Sequence, residues 1–127
     1  MPGGAEGAGH AAGTDESVVV MLVTGPGPDV IEEIGARLVE ERLAACVNVL
    51  PGVTSVYRWR DGVERAPEAL GILKTTRALA GRLEARVLEL HPYDVPEVLV
   101  IDTAGGSRSY LAWVQDSVSG RSGDGEA

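Results

Sequence analysis

The chain has 127 residues, about one domain, and sets 19 acidic against 11 basic side chains for a net charge of −8. That balance argues against a nucleic-acid partner, whose affinity rests on Lys and Arg neutralising phosphates, and suits a soluble protein with an attraction for cations. One cysteine excludes an intramolecular disulfide, and the longest apolar run, Val18–Val23, is far short of the ~20 residues that span a bilayer.

No basic residue precedes Arg37 and no apolar run follows Met1, so no secretory signal is read there, and the expectation is a cytoplasmic protein with no membrane span. Residues 1–17 hold five glycines and no Leu, Ile or aromatic, and residues 119–127 hold three more glycines. Neither stretch buries enough apolar surface to offset the entropy of ordering it, so both are read as flexible tails around one domain at 18–118. Ten arginines stand beside a single lysine, Lys74.

Val18–Thr24 is a β-branched run without polar alternation, the pattern of a strand buried on both faces. Glycine and proline at 25–28 stop it, and Pro28 suits a helical first turn. Ile31, Ile34, Leu38 and Leu43 then form one stripe, which predicts an amphipathic helix over 29–44. Cys46–Leu50 reads as strand, and Pro51-Gly52 forces a bend or bulge. Beyond it Val53, Ser55, Tyr57 and Trp59 share a face. Asp61-Gly62 signals a tight hairpin, with a return strand from Val63 to Thr75 in which Pro67 demands an edge or a bulge. Leu79, Leu83, Val87 and Leu90 mark a second helix that Pro92 ends. Val98–Ile101 is another doubly apolar strand, and Tyr110–Val118 a short helix capped by Ser107 or Ser109.

The order β-α-β-β-α-β plus a terminal helix is that of an α+β, ferredoxin-like sandwich. Two helices cover one face of such a sheet, yet its strands are apolar on both. The uncovered face predicts a homo-oligomer, with the long 46–75 hairpin reaching a neighbour.

ERLAACVNVLPGVTSVYRW (41–59), ILKTTRAL (72–79), ELHPYDVPEV (89–98) and SYLAWV (109–114) closely resemble the CutA divalent-cation tolerance family. The likeness runs in order through 18–118. It implies a ferredoxin-like homotrimer built by edge pairing and sheet packing about a threefold axis. It also implies an association with tolerance of copper and other divalent metals, and no established catalytic reaction; animal relatives are associated with anchoring a membrane enzyme. Some members carry a cysteine where this chain has Val23, and two histidines before Pro-Tyr where it has Leu90-His91. Cys46 and His91 remain of that copper ligand set, which is incomplete.

Each candidate residue has a plain reading beside a functional one. Cys46 is a small buried hydrophobe, or a thiolate ligand for copper or zinc. His91, expected in the last turn of the second helix, complements the helix dipole or ligates a metal. Lys74, in an interior strand, needs a partner, and Glu97 is the expected one. That pair fixes a subunit interface, or Lys74 binds an anion while Glu97 joins Cys46 and His91 on a cation. Tyr57, Trp59, Tyr93 and Trp113 pack an interface or, with Lys74, line an intersubunit cleft.

The leading expectation is a non-enzymatic trimer linked to metal tolerance, which needs no cofactor and whose candidate metal is copper or zinc. A small-molecule-binding regulatory trimer like the PII signalling proteins is the alternative, by analogy of fold alone. A hydrolase using Cys46 and His91 lacks an orienting third group.

Overall fold

A computed structural model of the protein describes residues 15–120, so 1–14 and 121–127 of the expected tails lie outside the described residues. The elements are β1 (Val18–Gly25), α1 (Pro28–Glu40), β2 (Cys46–Trp59), β3 (Gly62–Thr76), α2 (Arg77–Leu90), β4 (Val98–Asp102) and α3 (Arg108–Ser119). The sheet runs β2-β3-β1-β4, with every neighbouring pair antiparallel. This is the ferredoxin-like arrangement that the order of elements predicted.

Alternation along β1 divides the molecule into layers. Met21 and Val23 point to the side where Ile31, Ile34 and Leu38 of α1 meet Leu83 and Val87 of α2, forming the main core with Ala69 and Leu73 of β3. Val18 points to the other side, where α3 packs Val114 against Val18 and Ala45. The terminal helix therefore covers one end of the second face. Asp15–Ser17, assigned to the N-terminal tail, are tied down here. The Arg77 and Ala78 N–H groups donate to the carbonyls of Ser17 (2.8 Å) and Asp15 (2.9 Å), and Gln115 Nε2 donates to that of Glu16 (2.8 Å).

Helix α1 ends at Glu40 rather than 44. Arg42 takes a left-handed φ of 61°, and the N–H groups of Leu43 and Ala44 both turn back to the Leu38 carbonyl. A left-handed residue just past the last turn is a common way to satisfy terminal carbonyls. Leu43 still packs on the core, but from the connecting segment.

The hairpin shows the expected bulge between Leu50 and Val53, where Gly52 adopts φ 76°. Its reversal falls one residue earlier than Asp61-Gly62. Trp59 pairs with Gly62, leaving Arg60 and Asp61 as the loop, and Arg60 takes the positive φ of 56°. The register is carried in from the sheet, so the sheet and not the glycine fixes the turn. Pro67 behaves as an edge residue. β1 pairs with β3 only from Ala69 to Thr76, so residues 53–59 and 62–68 form a two-stranded ribbon beyond the sheet, open along that side of β3.

Candidate functional site

The second face of the sheet holds the candidate residues at its two ends. At the end covered by α3, Cys46 and Lys74 are register partners on β2 and β3. Lys74 Nζ lies 3.8 Å from Cys46 Sγ and donates a hydrogen bond to Asn48 Oδ1. Tyr110, from the first turn of α3, brings its hydroxyl to 3.4 Å from the same sulfur. Burial, and then its bond to Cys46, push the Tyr110 phenol up to about 12. Trp113 stacks on Tyr110 with ring centroids 5.7 Å apart, and its Nε1 is buried without a hydrogen-bond partner among the described residues.

This cluster corrects the expected Lys74–Glu97 pair. Lys74 is level with Val20, and Val20 with Ile101, whereas Glu97 precedes Val98. Four residue steps along a strand are about 13 Å, beyond the reach of an ion pair. Glu97 Oε1 instead accepts from Thr24 Oγ1 at 3.4 Å, at the opposite end of the face.

His91 belongs to that opposite end but points into the protein. It is the residue after α2, with extended backbone, rather than part of its last turn. The ring is buried, with Nε2 2.7 Å from the Thr24 carbonyl, while Nδ1 accepts from the Tyr93 N–H at 3.1 Å. The pair of contacts assigns the tautomer: Nε2 carries the proton. Both nitrogens are engaged, so His91 acts as a latch between β1 and the loop after α2, and not as a dipole cap. The same loop turns the Tyr93 hydroxyl onto Glu68 Oε2 at 2.7 Å. Burial, and then that bond to an anion, raise the Tyr93 phenol to about 12.

Within one chain, then, Cys46, His91 and Glu97 do not converge. Among the described residues no cluster of three or more His, Cys, Asp or Glu side chains could hold a metal ion. Of the cleft residues, Lys74 and Trp113 flank the Cys46 cluster, Tyr93 lies at the other end, and Tyr57 and Trp59 project on the exposed ribbon. Asn48, Glu68, Thr24 and the role of Tyr110 at the thiol were missed. Asn48 had a signal, since it alternates with Cys46 onto one face; the others needed the register.

Between the two ends the face is apolar. Leu50, Leu99 and Ile101 are 40%, 53% and 46% exposed, beside half-buried Val20, Leu22, Leu70 and Ile72. No described helix is long and apolar enough to cross a membrane.

The comparisons with known proteins agree with this architecture. The family model for the CutA1 divalent ion tolerance protein matches residues 19–117. The divalent-cation tolerance protein CutA of Thermus thermophilus is 47% identical over 98 residues, covering 77% of this chain and 95% of that one. The crystal structure of divalent ion tolerance protein CutA1 from Ehrlichia chaffeensis superposes with a TM-score of 0.79 at 30% identity, covering 84% of this chain and 99% of that one. A structure from Archaeoglobus fulgidus, described as a periplasmic divalent cation tolerance protein CutA, gives 0.77 at 31% identity, covering 80% and 98%. With fold and sequence in agreement over one continuous stretch, this chain belongs to the CutA1 divalent ion tolerance family.

Proposed function

We propose that the protein works as a homotrimer in divalent-cation tolerance, without catalysing a reaction, its uncovered sheet face closed by two further copies. The observation that carries this is the apolar face itself. Leu50, Leu99 and Ile101 stand exposed around a row of half-buried aliphatics, a patch of the kind that marks an interface. The ribbon of residues 53–68 supports the same reading, because a two-stranded hairpin is marginal alone and needs a surface to lie on. Three copies is the number that the family resemblance implies.

The cation is cargo, held in the cleft between copies. Cys46 supplies the soft donor that favours copper or zinc, and the exposed Glu97 carboxylate is the second donor, offered by another copy. His91, with both nitrogens engaged, holds the cleft wall in shape. The separation of Cys46 from His91 within one chain speaks against a nucleophile–base pair. The two-residue hairpin turn speaks against a PII-like effector loop. The unpaired thiol suits the reducing cytoplasm, which cell fractionation tests.

Titration calorimetry with Cu²⁺, Zn²⁺ and Mg²⁺ on the full chain, Cys46→Ser and Glu97→Gln tests the cargo reading. Binding of the softer ions that both substitutions weaken is expected; binding indifferent to both contradicts it.

A further inference from the structure

The ribbon carries a charge pattern that the apolar face does not explain. Arg58 pairs with Val63 and Arg65 with Val56, so both arginines alternate onto the side of Pro67 and Ala69, the side on which the helices lie. Arg60 follows in the turn, 5.6 Å above the Trp59 ring. Among the described residues none of the three has a carboxylate within ion-pair distance. Asp61 shares the turn with Arg60, while Glu64 and Glu68 alternate to the opposite side with Tyr57 and Val53, so the helix-layer side of the paired strands carries Arg58 and Arg65 and no acid.

Its complement lies on the same chain, out of reach. The ribbon leaves the sheet where β1 ends at Gly25, and α1 begins there at Pro28. Asp29 and Glu32 stand exposed in the first turns of α1, and Asp94 stands exposed in the loop that His91 latches to Thr24. None of these three carboxylates has a basic partner among the described residues. Six residue steps from Val53 to Trp59 carry the arginines up to about 20 Å from this rim. Unpaired bases and unpaired acids thus occupy one end and one layer of the molecule, separated by the length of the ribbon. A head-to-tail contact that closes into a ring brings such surfaces together.

We infer that the Arg58–Arg65 side of the hairpin docks on the acidic rim of Asp29, Glu32 and Asp94 of a neighbouring copy. The inference rests on the homotrimer reading and assigns its polar contact. The apolar faces supply most of the association energy, and these pairs select the neighbour and its orientation. With Arg58 and Arg65 turned to the neighbour's helical layer, Tyr57 and Trp59 on the opposite side face the enclosed cleft.

The test is sedimentation equilibrium of the full chain at about 20 and about 500 mM salt, where screening differs severalfold. Arg58→Glu/Arg65→Glu and Asp29→Arg/Asp94→Arg are each expected to raise the subunit dissociation constant about tenfold or more at low salt. All four changes in one chain should recover most of that loss, and high salt should level the differences. Wild-type association by Arg58→Glu/Arg65→Glu, or no recovery in the combined chain, overturns the contact while leaving the trimer standing. A monomeric wild type overturns both. If a reversed variant does not fold by circular dichroism, the neutral Arg58→Gln/Arg65→Gln must still weaken association at low salt, and its failure to do so overturns the contact.

Discussion

The Nζ of Lys74 lies 3.8 Å from the Sγ of Cys46 because the two residues face each other across β2 and β3. The softest donor described in the chain is therefore already faced by a positive charge. Two unit charges at about 4 Å interact by about 4 kcal/mol at an effective dielectric of 20, and a dication doubles that. Solvent reduces the effect at this half-buried site, yet Lys74→Met is expected to tighten Zn²⁺ binding at Cys46 by about tenfold or more. Calorimetry on the two proteins measures it, and equal or weaker binding in the variant contradicts the account.

His91 holds two elements together through its two nitrogens. His91→Leu leaves the Thr24 carbonyl without this partner at a buried site, and frees the Tyr93 N–H at a part-buried one. A buried group left unpaired costs about 1–3 kcal/mol, and the Thr24 carbonyl is the buried one, so a loss of about 1–3 kcal/mol is expected in urea unfolding. A loss below about 1 kcal/mol contradicts the latch.

Tyr93 and Tyr110 share a direction of shift. Both phenols are raised from the ordinary 10.0 to about 12, with burial as the largest cause. Between those values the folded protein keeps protons that the unfolded chain releases. The associated stability is complete below pH 10 and is lost as pH rises through 12. Absorbance at the tyrosinate band should show Tyr93 and Tyr110 ionising late, each lost from the late phase when it is replaced by Phe. Glu68→Gln should bring Tyr93 only part of the way down, because burial remains.

Gly71 sits where β3 passes under α1. A Cβ there would stand 2.9 Å from Cγ2 of Ile31, a stiff β-branched side chain. Gly71→Ala is therefore expected to destabilise by about 1–3 kcal/mol, and thermal melting decides it. A neutral or stabilising result would show that α1 rides more loosely on the sheet than the packing implies.

The fold was legible in the sequence because its signals are local. The period change after Pro28, the bulge at Pro51-Gly52 and the stop at Pro92 each mark an element where it lies. The end of α1 was not legible, since Arg42 rather than a glycine takes the left-handed turn. Nor was the position of the hairpin reversal, which depends on a register set ten residues away. The site suffered most from the same limit. Lys74 and Glu97 do belong to one sheet, but the partner of Lys74 is decided by which residues are level with it. That fact exists only once β1 is placed between β3 and β4. His91 looked like a ligand or a cap because sequence shows its neighbours along the chain, not the Thr24 carbonyl across the sheet.

The apolar face is the feature on which the account turns, and sedimentation velocity of the full chain at micromolar concentration tests it most directly. The account predicts a single species of three times the 13.2 kDa chain, which polar substitutions at Leu99 and Ile101 dissociate. A folded, monodisperse monomer that melts cooperatively would contradict it.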